Sequence, residues 1–226
     1  MQAKTFLLGA ALAGVALAAH AEDGTIVITG TITDQTCTIE DPSPGYIKVV
    51  HLPTISKSAL KNAGDVAGRT RFDIKLKDCP TTVNTLKLYF EPGPTTDYGT
   101  KDLKAYKQAW YVDAATLLKS PPSVTEAKGV QIRLMNLNGK QIPMGETEPN
   151  QHAAAFSGTM QAGQAKKSFT LHYLAGYVKK ASGEVEATML TTYVGFSVVY
   201  PETATPAMAA GVAPCEPAAI SAAACR

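Results

Sequence analysis

The chain has 226 residues, with 21 Lys and Arg against 19 Asp and Glu and a formal net charge of +2. That balance lacks the basic excess of nucleic-acid-binding domains, so nucleic acid is not expected as a partner. A hydrophobic share of 45% suffices for one domain with a real core, and beyond the N-terminal segment no run is long and apolar enough to span a bilayer.

In chain order, Lys4, the apolar run Phe6–Ala19 and the small-x-small site Ala19-His20-Ala21 predict a signal peptide over 1–21, leaving Glu22 as the first mature residue. The segment Thr25–Thr33 (TIVITGTIT) then puts Ile26, Ile28, Gly30 and Ile32 on one face of a strand and threonines with Val27 on the other. Burying one such isoleucine contributes about 1.5–3 kcal/mol. On its own residues this segment is either an ordinary first strand or a strand made to fill another chain's groove. Ser56–Asn62 has room for one helical turn.

Further along, Arg69–Lys77 alternates Phe72, Ile74 and Leu76 with polar partners, and Thr85–Phe90 alternates Leu86, Leu88 and Phe90 before Pro92, Gly93 and Pro94 stop it. Asp102–Leu118 fits helix or strand. Val130, Ile132 and Leu134 share a strand face, and Asn138-Gly139 predicts a tight hairpin turn into Ile142 and Met144. Phe169, Leu171 and Tyr173 begin a strand running towards Tyr177. After a turn at Ser182-Gly183, Thr188–Tyr200 is expected as one long last strand, with Val194, Phe196, Val198 and Tyr200 on one face. Many short strands divided by Gly, Pro and Asn turns indicate an antiparallel sandwich. Residues 202–226 are mostly Ala, Pro and Thr and are expected to form a disordered tail, because they bury too little surface to offset ordering.

Four cysteines fall into two groups, Cys37 with Cys79 and Cys215 with Cys225. Export favours a Cys37–Cys79 disulfide. Closing a loop of roughly 43 residues stabilises by about 4 kcal/mol on the chain-entropy account. A metal site is the weaker reading, since no CxxC occurs and no His sits at ligand spacing from either residue. For Cys215 and Cys225, pairing with each other and crosslinking of chains both stay open.

Catalytic signatures are absent from the sequence: no GxSxG, HExxH, Walker A or GxGxxG motif occurs. His51, His152 and His172 are dispersed, and Asp73 and Asp78 fit a solvated strand face better than a paired-carboxylate site. No enzyme, cofactor, metal or catalytic residue is therefore expected. Tyr98, Tyr106, Trp110 and Tyr111 lie in or near loop-like sequence and leave room for sugar stacking, although such aromatics more often complete a core or an interface. The segments Thr95–Lys107 and Lys140–Phe156 are expected to be antigenic surface loops.

DGTIVITGTITDQTC (Asp23–Cys37), FDIKLKDCP (Phe72–Pro80), YFEPGPTTDYGT (Tyr89–Thr100), GVQIRLMNLNGKQIPMG (Gly129–Gly145) and TTYVGFSVVYP (Thr191–Pro201) together carry a family resemblance. The chain resembles the chaperone–usher pilins, the structural subunits of type 1-like fimbriae, and within them the Bordetella serotype fimbrial subunits. The resemblance implies an all-β, incomplete immunoglobulin-like antiparallel sandwich of six strands plus a donated one. It divides the chain into a signal peptide (1–21), a donor-strand extension (22–34), a pilin domain (35–201) and the tail (202–226), which extends past the family's usual end. It implies Ile26, Ile28, Gly30 and Ile32 as donor residues. It makes Val194, Phe196, Val198 and Tyr200 one wall of the acceptor groove and chaperone contact, and Cys37–Cys79 the family disulfide. The implied partners are identical or similar subunits, a periplasmic chaperone, an outer-membrane usher and a tip adhesin. The implied destination, through the periplasm, is a cell-surface fimbrium with an adhesive role. The alternative function is a carbohydrate-binding minor or tip adhesin subunit on the same fold.

Overall fold

The computed structural model describes residues 36–40, 46–107 and 125–200. The expected signal peptide, the donor residues Ile26, Ile28, Gly30 and Ile32, Trp110 and Tyr111, and the tail all lie outside the described residues.

The regular structure of the described residues is almost entirely antiparallel strand: β1 (Thr38–Ile39), β2 (Val66–Cys79), β3 (Thr85–Glu91), β4 (Thr96–Asp97), β5 (Asp102–Lys107), β6 (Glu126–Met135), β7 (Phe156–Ser157), β8 (Thr159–Met160), β9 (Lys167–Lys179), β10 (Leu190–Thr191) and β11 (Gly195–Val199). Among the described residues six strands are five residues or longer: β2, β3, β5, β6, β9 and β11. Among the described residues one four-residue helix, α1 (Glu148–Gln151), and a 3-10 turn at Lys57–Ala59 complete the regular structure. That turn meets the expectation over Ser56–Asn62.

Two sheets form. The larger runs in the order β1-β2-β9-β6-β5-β10, with β4 added to β5 and β8 to β9; the smaller runs β11-β3-β7. The period-2 apolar pattern explains their facing. Phe72, Ile74 and Leu76 of β2 and Phe169, Leu171 and Tyr173 of β9 point inward and meet Leu86, Leu88 and Phe90 of β3 in one core. The all-β antiparallel expectation holds, with the core between the layers.

Three local expectations need correction. Thr188–Tyr200 is not one strand: β10 pairs with β5 in the large sheet, and β11 pairs with β3 in the small one. Two threonine hydroxyls hold the crossing. Thr192 Oγ1 donates to Lys104 O (2.7 Å) and Thr95 Oγ1 donates to Tyr193 O (2.6 Å), taking the backbone out of the pleat between the sheets. The segment Thr95–Lys107 is not a loop throughout, because β5 lies within the large sheet with Leu103 and Ala105 buried. This also settles Asp102–Lys107 as strand. The Asn138-Gly139 turn is present, with Gly139 at φ 81° and its N–H bonded to Asn136 O. The return leg, however, makes only an isolated bridge, Met135 with Gln141, as Ile142 and Met144 drop into the core.

Candidate assembly edge

β11 is an edge strand. Its Phe196, Ser197 and Val198 face Phe90, Tyr89 and Leu88 across one side, and among the described residues no strand pairs with the other side. Alternation sends Phe196 and Val198 to the core and leaves Gly195 and Ser197 exposed. Val194, Phe196, Val198 and Tyr200 are brought together along this strand, as expected. All four are only half-buried while packing on the core, whereas Leu88 and Phe90 on the neighbouring strand are 1% and 2% exposed. An edge strand with half-covered apolar side chains is a template for another strand unless something covers it.

A second set of half-buried residues packs on the same core: Ile39, Tyr46, Val50, Leu52 and Ile55. Tyr46 meets Phe196 edge-on with ring centroids 6.1 Å apart. The Cys37 N–H donates to the Tyr200 hydroxyl at 2.7 Å. Residues 46–55 carry no regular structure, and their apolar positions are interrupted by Lys48, His51 and Pro53, so no periodic signal marked them. Only the apolar character of Tyr46, Val50, Leu52 and Ile55 could have found them.

Cys37 and Cys79 form a disulfide. β1 pairs Thr38 with Lys77 and Ile39 with Leu76, which sets Cys37 opposite the end of β2, and Cys79 is fully buried there. The bond therefore fastens the start of the domain to a core strand, next to the end of β11.

The other side of the small sheet is built differently. β7 pairs only with Thr85 and Leu86 of β3. Beyond it, the Leu88 N–H donates to the Tyr173 hydroxyl (3.1 Å), which donates to Ala154 O (2.8 Å). The Phe90 N–H donates to Gln151 Oε1 (2.9 Å), and Gln151 Nε2 donates to Phe90 O (2.7 Å). Gln151 is fully buried at the end of α1. Burial pushes the Tyr173 phenol up to about 12, keeping it a neutral donor.

On the outer face, Asp73 accepts from Arg71 Nε (2.9 Å) and bonds His172 Nδ1 (2.7 Å). Its partial burial opposes ionisation, but these partners outweigh it and hold the carboxyl below its ordinary value. Among the described residues no group of three or more His, Cys, Asp or Glu could hold a metal ion, and no helix is long and apolar enough to cross a membrane. Of the candidate aromatics, Tyr98 is 64% exposed and stacks over Gly145, where any Cβ would come within 2.6 Å of its ring. Tyr106 is half-buried within β5.

Residues 52–201 match the family model described as type-1 fimbrial protein, A. The chain belongs to the type-1 fimbrial subunit family. It is 60% identical to the serotype 2 fimbrial subunit of Bordetella pertussis over 86% of this chain and 94% of that one. It is 58% identical to the serotype 3 fimbrial subunit of the same organism, over 82% and 90%. The major fimbrial subunit SMF-1 of Stenotrophomonas maltophilia is 35% identical over 84% and 99%. The solved P pilus rod subunit PapA aligns at 19% identity with a TM-score of 0.47, covering 73% of this chain and 99% of that one. The family resemblance carried by the five quoted segments is borne out. The chain is a structural fimbrial subunit, and subunits of this family polymerise with one another into surface pili.

Proposed function

We propose that this fimbrial subunit polymerises by strand donation, the leader 22–34 of one copy adding to the β11 edge of the next. The observation that carries the reading is the half-covered row Val194, Phe196, Val198 and Tyr200 on an edge strand. Ile26, Ile28 and Ile32 would cover this row and Tyr46 beside it, with Gly30 at the point of closest backbone approach. Main-chain bonds to β11 would fix register, and the apolar side chains would supply the stability. In this reading the signal peptide 1–21 takes the chain to the periplasm. A chaperone covers the edge there, an outer-membrane usher exchanges it for the next leader, and the fibre, with or without a tip adhesin, supports adhesion. The tail 202–226 lies outside the polymerising domain. The work is mechanical, and no residue is assigned a catalytic role.

Deleting Ile26–Ile32 tests this directly in cells that assemble the fibre. The expected result is a folded, oxidised subunit that accumulates with the chaperone and adds to no fibre. Fibres of ordinary length and number from the deleted chain would overturn the donor assignment.

A further inference from the structure

We infer that Gln151, Tyr173 and Asn136 make the small sheet univalent as an acceptor, by sealing its β3 edge so that strands add to this sheet at β11 alone. The inference rests on the strand-donation reading above and extends it to what sets the fibre's linearity.

The small sheet has two sides, and β7 covers only the first two residues of β3. A strand could in principle complete the rest of that side as readily as it completes β11, since Leu88 and Phe90 direct main-chain groups outward there. Three of those four groups are met by side chains instead. The Gln151 amide bonds both the N–H and the C=O of Phe90, the same two groups that a neighbouring strand would engage. The Tyr173 hydroxyl, reaching across from β9, takes the Leu88 N–H. Residues 151–154 are held in place by Tyr173 through Ala154 O and by Asn136, whose amide donates to His152 O (2.9 Å) and accepts from the Ala154 N–H (2.7 Å). All three side chains are buried: Gln151 and Tyr173 fully, Asn136 to 8% exposure. His152, in the left-handed region at φ 52°, turns the chain so that Gln151 points inward.

Valence decides the consequence. A chain with one donor and one acceptor edge can only extend as a line. A chain with one donor and two acceptor edges builds a tree, because each subunit can receive two leaders. The side-chain seal keeps the count at one.

The test compares fibres assembled by cells from the full wild-type chain and from a Gln151→Leu chain, imaged by electron microscopy. Amide hydrogen exchange on the purified subunits serves as the check that the edge has opened. The expected result is a Phe90 amide exchanging at least tenfold faster in the variant, with branch points along fibres that are unbranched in the wild type. If Gln151→Leu does not fold, Gln151→Met serves, since its unbranched thioether fills the same space, leaves only a weak acceptor near the Phe90 N–H and offers no donor to Phe90 O. The same result is expected of it. A folded variant with a freed Phe90 amide and unbranched fibres, or with no fibres, overturns the inference and leaves strand donation standing. Absence of fibres from the wild-type chain sinks strand donation itself, and this inference with it.

Discussion

The two sides of the small sheet solve the same problem in opposite ways. Along β3, the outward Leu88 N–H and both main-chain groups of Phe90 are met by a buried hydroxyl or amide of the same chain, and the apolar side chains below are sealed. Along β11, the apolar side chains stay half-covered, and among the described residues no strand or side-chain amide runs alongside. The difference shows that the open edge is not a general failure to bury this sheet. The chain uses a Gln, a Tyr and an Asn, all buried and so all obliged to be hydrogen-bonded, to finish one side, and on the strand-donation reading proposed above it leaves the other to a second strand.

The largest expected effect comes from breaking the open side at its covalent anchor. In the paired substitutions Cys37→Ser and Cys79→Ser, the loop spanning 42 positions is released, and stability is expected to fall by about 4 kcal/mol. Denaturant unfolding measures this. The Cys37 N–H should also lose its fixed position beside Tyr200, so amide exchange at Cys37 should accelerate while Leu88 and Phe90, on the closed side, keep their protection relative to global unfolding. Equal acceleration on both sides would remove the distinction drawn between them.

Next in size is a pH effect confined to the closed side. The Tyr173 phenol is held up to about 12 in the fold by burial, against roughly 10 in the unfolded chain. Between those values the unfolded chain loses its proton and the folded chain keeps it. Stability is therefore complete below about pH 10 and lost progressively towards pH 12, by about 2–3 kcal/mol. Tyr173→Phe is expected to remove the Tyr173 share of this slope and to leave the shares of Tyr89, Tyr106 and Tyr177, whose phenols burial also raises. At neutral pH the same substitution costs about 1–3 kcal/mol, because the Leu88 N–H is left unpaired. Urea midpoints at pH 8 and pH 11.5 for both chains check the two parts, and a slope undiminished in Tyr173→Phe would assign it elsewhere.

Much of this architecture is legible in the sequence, for a physical reason. Phe72, Ile74 and Leu76, or Leu86, Leu88 and Phe90, report a strand with one buried face because alternation is a local property. The open edge was legible for the same reason, through Val194, Phe196, Val198 and Tyr200. The closed edge was not. Gln151 is a polar residue in a stretch rich in Glu, Pro and Asn, and nothing local says that its amide will lie against Phe90, 61 positions away. The break between β10 and β11 was hidden similarly. Thr192 and Tyr193 continue a β-favouring run, and only the hydroxyl of Thr95 and the carbonyl of Lys104, contributed from far along the chain, divide it. Side chains that replace a strand partner leave no period behind them.

A smaller effect sharpens the contrast at the level of packing. Phe196 is half-buried, so Phe196→Ala is expected to cost about 1–2 kcal/mol in the monomeric subunit, a partial share of its transfer energy. Leu88→Ala, on the sealed strand beside it, should cost about 2–5 kcal/mol because it leaves a cavity. Within a fibre the two costs should approach parity. A donated strand would bury Phe196 fully and raise its cost to about 3–5 kcal/mol. Thermal dissociation of fibres against unfolding of monomers measures both, and a Phe196 penalty that is the same in the two states would argue that β11 gains no cover on assembly.

The smallest effect serves as a control remote from both sides of the small sheet. Asp73 points outward from β2 and is held below its ordinary carboxyl value by Arg71 and His172. An acid lowered in the fold stabilises above its unfolded value and loses that contribution as pH falls through the folded one, so the window lies below about pH 4. The carboxylate is partly in water, which limits the pair to about 0.2–1 kcal/mol. Asp73→Asn should therefore shift the urea midpoint slightly at pH 7 and flatten the acid limb below pH 4. Because Asp73 touches neither Tyr200 nor Gln151, it should alter neither fibre yield nor branching. A change in either would mean that the outer face of the large sheet takes part in assembly and that the contrast between two edges is too narrow a description of what the subunit uses.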